Sequence, residues 1–189
     1  MALAHTILAL LAKDPGSGYD ISKRFDQGPS CYWKATQQQV YRELSKLKAQ
    51  GHVSFETVPQ VGKPDKKLYQ ITDLGWQELA RWYAEPTEPT AIREDLLVKV
   101  LIGHQMPRSL LLKELHHRQQ LHSAQLAYYR EKEAEILPLI EDEVAMQFMY
   151  LTLKRGIAYE TSWLTWCDEV LATLAEIPEE TIDSHIPRK

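Results

Sequence analysis

Thr36-Gln37-Gln38-Gln39-Val40-Tyr41-Arg42-Glu43-Leu44-Ser45-Lys46-Leu47-Lys48-Ala49-Gln50-Gly51 is the stretch that decides how this chain is organised. Val40, Leu44 and Leu47 recur at i, i+4 and i+7, the spacing that lines one face of an α-helix. Thr36 is placed to cap the helix, and Gln39 sits three residues on, at the reciprocal position of a capping box. Gly51 is the residue type expected just past a helix end. With Val40 at the centre of the buried face, a rotation of about 100° per residue carries Gln38, Arg42, Ser45 and Ala49 to the far side. Tyr41, Gln39 and Lys46 flank them.

Working upstream, Ala2–Ala12 is apolar and helix-forming, with Ile7, Leu8 and Leu11 on one face. Asp14-Pro15-Gly16-Ser17-Gly18 is a turn. A short helix follows: Ser17 and Asp20 have capping-box spacing, Ile21 and Phe25 share a face, and Gly28-Pro29 ends it. Downstream, residues 53–58 and 67–71 alternate as strands do. The loop between them holds Gly62, Pro64 and Asp65, and Lys63, Lys66 and Lys67 make it basic. Thr72 then caps a helix through Leu74, Leu79 and Trp82.

The order helix, helix, helix, basic hairpin, helix predicts a winged helix-turn-helix, so the fold class is mostly α with a small β-wing. Such a unit needs a helix with one apolar face for its scaffold and one polar face for the major groove. Gln can pair with adenine N6/N7 and Arg with guanine O6/N7. Gln38 and Arg42 are therefore the first choices for base contact. Gln37 and Gln39 come next, because capping competes for Gln39. Tyr41 and Lys46 are better placed for phosphates. Lys23, Arg24 and Lys34 could reach the DNA backbone from the preceding helix and turn. The wing lysines Lys63, Lys66 and Lys67 would meet phosphate or the minor groove, which positions a protein without specifying sequence.

Charge supports this division. The 189 residues carry a net −4, split as +3 over residues 1–83 and −7 over residues 84–189. Pro86 and Pro89 mark a boundary. The expected domains are a DNA-binding unit at 1–85 and a helical dimerisation unit at 86–189. In the second, one helix is expected over 91–103, and a long one begins at Pro107. Positions 112, 115, 119, 122, 126, 129, 133, 136 and 140 alternate spacings of three and four as an imperfect coiled-coil seam. Pro138 should break it. A further helix is expected to about Lys154, and a last one from Ile157 to about Leu174.

Several function classes have no residues behind them. The amino terminus lacks a signal-peptide pattern, and no apolar run is long enough to span a bilayer, so a cytoplasmic protein without a membrane partner is expected. Cys31 and Cys167 lie far apart and read as reduced packing residues. His116, His117 and His122 are not at metal-ligand spacing, and no nucleophile elbow or phosphate loop occurs, so neither a metal, a cofactor nor an enzyme is expected. The aromatic residues Tyr128, Tyr129, Tyr150, Tyr159, Trp163 and Trp166 suit a core or a dimer interface. Trp33, Tyr159 and Trp163 are the candidates for an aromatic effector site. The competing reading is a protein-interaction adaptor that uses a winged helix and coiled-coil-like helices without DNA.

Ser17-Gly18-Tyr19-Asp20-Ile21, Gln39-Val40-Tyr41-Arg42-Glu43-Leu44 and Gly62-Lys63-Pro64-Asp65-Lys66-Lys67-Leu68-Tyr69-Gln70-Ile71-Thr72 resemble the PadR family of bacterial transcriptional regulators. Arg93-Glu94-Asp95-Leu96-Leu97-Val98-Lys99 and the late Trp163-Leu164-Thr165-Trp166 resemble its longer members with a virulence-activator-like C-terminal domain. The resemblance implies a homodimer on an inverted-repeat operator, acting as a repressor or, in some relatives, an activator. A small aromatic effector is a further partner that it allows. Where family members commonly carry Ser or Gly just before the recognition-helix Tyr, this chain has Gln37-Gln38-Gln39-Val40.

Overall fold

A computed structural model describes residues 2–27, 35–60, 62, 65–140 and 144–178. The chain forms two compact units, Met1–Pro89 and Thr90–Lys189.

The first unit is built on α1 (Ala2–Lys13), α2 (Gly18–Gln27) and α3 (Gln37–Ala49). Their apolar faces meet in one core of Ile7, Leu8, Leu11, Ile21, Phe25, Val40, Leu44 and Leu47, with Val53 and Tyr69 from the hairpin. Burying a side chain of this kind contributes about 1.5–3 kcal/mol. α3 is capped as its sequence requires: the Thr36 hydroxyl accepts from the Gln39 amide, and the Gln39 side chain accepts in return from the Thr36 backbone. Gly51 follows with φ +75°, a conformation that costs a glycine little.

Strands β1 (Val53–Val58) and β2 (Lys66–Ile71) pair antiparallel, from Val53 opposite Ile71 to Val58 opposite Lys66. The second strand thus starts one residue earlier than its alternation predicts, because Lys66 still has Val58 across from it. A third segment joins the wing: Gly16 exchanges both backbone hydrogen bonds with Tyr69, at 3.0 and 2.9 Å. This isolated bridge carries no pattern in the sequence. α4 (Asp73–Tyr83) begins at Thr72, whose hydroxyl accepts from the Gly75 amide and donates to the Gly51 carbonyl at 2.6 Å.

The second unit contains α5 (Asp95–Leu101), α6 (Arg108–Ile136) and α7 (Val144–Glu176). α5 starts four residues later than expected. Glu94 stays extended, and its carboxylate accepts from Arg118 at 2.9 Å and from the Trp163 indole at 3.2 Å. α6 ends before Pro138 in a short 3-10 turn, Leu137–Leu139, as a proline inside the pattern demands. α7 corrects a second expectation: it runs unbroken through Arg155-Gly156 instead of dividing there. A glycine costs a helix only about 1 kcal/mol, and packing along the whole length of α6 outweighs it.

The two long helices are antiparallel, as their paired residues show: Arg108 with Ile177, Gln119 with Asp168, His122 with Glu160 and Glu133 with Tyr150. Seam positions 115, 129 and 136 are buried and 112, 119, 122, 126 and 133 half-buried, so the seam faces within the unit. Leu96, Leu111, Leu115, Trp163 and Cys167 form its core. No helix among the described residues is long and apolar enough to cross a membrane.

Among the described glycines of the first unit, Gly75 is the most closely approached. A Cβ there would lie 2.1 Å from the His52 carbonyl oxygen. Gly75→Ala is expected to lower unfolding free energy by about 1–3 kcal/mol or more, since backbone must move to admit the methyl group. Urea titration checks this, and an unchanged midpoint would refute the close approach.

Candidate nucleic-acid interface

α3 divides cleanly. Val40, Leu44 and Leu47 are buried, while Gln37, Gln38, Gln39, Tyr41, Arg42, Ser45, Lys46 and Lys48 are exposed. Gln39 is engaged in the cap, so among the three glutamines Gln37 and Gln38 keep their amides open to solvent. Lys46 pairs with Glu43 one turn back, at 3.2 Å. Among the described residues Arg42 has no ion-pair partner, which leaves its guanidinium presented at the middle of the polar face.

The wing contributes charge beside this face. Lys67 is exposed and lies over the Phe55 ring at 4.9 Å, with Lys48 of α3 over the same ring at 4.7 Å. Lys66 is only half-buried, yet it is not idle: its ammonium sits 2.9 Å from the Asp20 carboxylate. Asp20 also accepts from the Ser17 amide at 3.0 Å and hydroxyl at 2.8 Å, which completes the α2 capping box. These donors, Lys66 foremost and the Ser17 amide next, bring the Asp20 carboxyl down from 3.8 to about 2. Ser17, Gly18, Tyr19, Asp20, Tyr41, Ser45, Gln60, Asp65 and the two wing lysines line a polar groove of about 630 Å³.

Close packing bounds this groove at one end. A Cβ on Gly18 would stand 2.6 Å from the Tyr41 ring, so the start of α2 and the flank of α3 touch without room for a side chain. Arg24 is placed differently from the expectation that it could reach a DNA backbone. Its guanidinium donates to the carbonyls of Leu10, Asp14 and Pro15 and closes the turn after α1. Lys23 is exposed on the same helix. Trp33, Lys34, Lys63 and Cys31 lie outside the described residues.

The aromatic candidates of the second unit part company. Trp163 is buried in the core: its ring stacks on His122 at 3.7 Å, meets Trp166 edge-on and donates its N–H to Glu94. Tyr159 is 47% exposed, with the Arg155 guanidinium 5.8 Å from its ring. Its hydroxyl titrates above the ordinary range, through burial first and then through the negative charges of Glu94 and Glu160. His122 is half-buried and bonds the buried Glu160 at 2.5 Å. Sequence reasoning missed the Glu94–Arg118 and His122–Glu160 pairs. Their partners are 24 and 38 residues apart, and nothing local joins them.

Residues 7–81 match the transcriptional regulator PadR-like family, and residues 92–175 match the family described as virulence activator alpha C-term. The chain is 37% identical to a "probable transcriptional regulator" of Mycobacterium tuberculosis, over 93% of this chain and 99% of the relative. It is 30% identical to the negative transcriptional regulator PadR of Bacillus subtilis, covering 91% and 97% of the two chains. This chain belongs to the PadR family. Among solved structures, Bacillus subtilis PadR in complex with operator DNA superposes with a TM-score of 0.82 at 27% identity, over 92% of this chain and 97% of that one. The same protein has been solved with p-coumaric acid, with a TM-score of 0.72 at 26% identity over 93% and 96%. The virulence activator AphA of Vibrio cholerae gives 0.75 at 31% identity over 92% and 98%. The winged helix-turn-helix expected from the order of elements is thus the architecture of this PadR-family regulator, and its relatives are transcriptional regulators.

The depressed Asp20 carboxyl has a consequence for acid stability. A folded pKa below the unfolded one adds stability above the unfolded value, and this is lost as pH falls through the folded value. The stability difference between wild type and Asp20→Asn should therefore be constant above about pH 5 and shrink between about pH 4 and 2. Urea unfolding across that range tests it, and a difference that does not vary with pH would remove the ion pair from the account.

Proposed function

We propose that this PadR-family regulator binds DNA sequence-specifically, as a homodimeric repressor on an inverted-repeat operator. The observation that carries the reading is the exposed polar face of α3, with Gln38 and Arg42 at its centre beside a basic wing. The operator-bound PadR structure, of the same fold, supports it. Arg42 and Gln38 would read base edges, with Gln37 beside them and Gln39 committed to the cap. Tyr41, Lys46, Lys34, Lys63, Lys66 and Lys67 would meet phosphate or the minor groove. The negative regulation named for the Bacillus relative supports repression. Acting on chromosomal DNA makes it a cytoplasmic protein.

A homodimer is supported by apolar side chains that the second unit leaves exposed. Leu97, Val98 and Leu101 of α5, Leu110 of α6, and Val144, Phe148 and Leu151 of α7 are all open to solvent in the single chain. A second copy covering them would join residues 86–189 as the dimerisation domain and set two recognition helices roughly one DNA turn apart. The p-coumaric acid complex of PadR supports a small aromatic effector, for which Tyr159, Trp163 and Trp33 are the aromatic candidates.

Binding to a duplex carrying the region upstream of its own gene, titrated against salt, tests the reading. Arg42→Ala should weaken binding to the specific duplex by about 1–3 kcal/mol and leave random-sequence binding almost unchanged. Lys67→Ala should weaken both duplexes alike and lower the salt slope by about one. Equal, salt-insensitive binding by wild type and Arg42→Ala would favour the adaptor reading. Sedimentation should return twice the chain mass.

A further inference from the structure

We propose that Asp20 is an affinity-setting residue of the interface: an intramolecular stand-in for phosphate that holds Lys66 until DNA displaces it. The inference rests on the DNA-binding reading above and adds to it a regulator of wing affinity. Asp20 Oδ2 accepts from the Ser17 amide, the Ser17 hydroxyl and the Lys66 ammonium at once, at 3.0, 2.8 and 2.9 Å. The two Ser17 bonds hold the carboxylate by contacts independent of Lys66, so the anion presents an oriented acceptor. Both partners line the groove that runs beside Tyr41 and Ser45 of the recognition helix, where the wing and α3 would jointly approach DNA.

This pair differs from the others on the same surface. Glu43 and Lys46 are neighbours on one helix and stay together wherever α3 goes. Asp20 and Lys66 belong to α2 and β2, so their contact ties the wing to the helical scaffold. Asp20 holds one side of the Lys66 ammonium, and turning all three of its N–H donors to phosphate requires giving up Asp20. The carboxyl, at about 2, is ionised at any pH at which DNA binding would be measured, so protonation does not release it. DNA must compete, and that competition weakens binding to specific and non-specific duplexes alike, because phosphate contacts carry no sequence information. Among the described residues, the other charged groups on the groove are Asp65 and Lys67, one of each sign, and neither is bonded to Asp20.

The test is a double-mutant cycle on the full-length protein, with the upstream duplex and a random duplex as probes. Asp20→Asn removes the charge and keeps an oxygen for the Ser17 amide. Asp20→Gln, a residue favoured at this capping-box position, guards against a folding defect in the first variant. Both should tighten binding to both duplexes by about two- to fivefold, the range of an exposed ion pair. In a Lys66→Ala background neither should tighten it. Tightening that persists without Lys66 would mean that Asp20 acts only through its general charge, and the proposal falls. Binding unchanged or weakened by both variants, each with a wild-type melting temperature, also overturns it. Carbon-detected NMR titration of the Asp20 carboxyl, without DNA, should show its pKa rising in Lys66→Ala. An unchanged value removes the pair and the proposal with it. If the wild type binds neither duplex in a salt-sensitive way, the parent reading fails, while the NMR result still reports on the pair.

Discussion

Burial of one face of α3 is the constraint on which the first unit depends. Val40, Leu44 and Leu47 are withdrawn from water against α1 and α2, and that packing fixes the helix about its own axis. Once the axis rotation is set, every other side chain of α3 has its direction decided. Gln38 and Arg42 face solvent because Val40 and Leu44 do not. A slip of one residue in the apolar pattern would turn Arg42 by about 100° and bring polar groups into the core. The rigidity of the surface therefore derives from the apolar side that never meets a partner.

Among the described residues, polar contacts attach the wing to that scaffold at three points. Thr72 joins the end of α3 to the start of α4 through Gly51 and Gly75. Gly16 pairs with Tyr69 through backbone alone. Asp20 takes Lys66. The first two lie at the core end of the hairpin, and the first uses glycines where the backbone turns with positive φ, at Gly51, or comes too close for a side chain, at Gly75. The third is a surface ion pair that solvent and competing anions can reach, so the wing is firm at its base and adjustable at its charged side.

In the second unit the long helices meet mostly through apolar contact, which is tolerant of sliding. The polar pairs are not. Glu160 is buried, and His122 is the partner that satisfies it; Glu94 is shared by Arg118 and Trp163. Displacing α7 along α6 by one turn would leave a buried carboxylate without a donor, at a cost of several kcal/mol. These pairs set the register of α6 against α7 and, through Glu94, the point at which α5 begins.

Local periodicity, capping residues and turn chemistry determined the order of elements, the buried residues of α1 to α3, the caps at Ser17, Thr36 and Thr72, and the break at Pro138. Each is governed by residues within one or two turns of each other, which is why a single chain read alone exposes them. The polar face of α3 was legible for the same reason, and the wing-helix pattern matched the family that the relatives then showed. Tertiary structure decided what depends on distant partners. Gly156 lies inside one unbroken helix because α6 packs alongside it, and Arg24 is consumed by carbonyls of the preceding turn. Trp163 is core rather than open surface because His122 and Glu94 reach it. Lys66 is held because Asp20, far from it in sequence, folds to within hydrogen-bonding distance. Pairing across such separations leaves no periodic trace in the sequence, since only the packed core brings the two residues together.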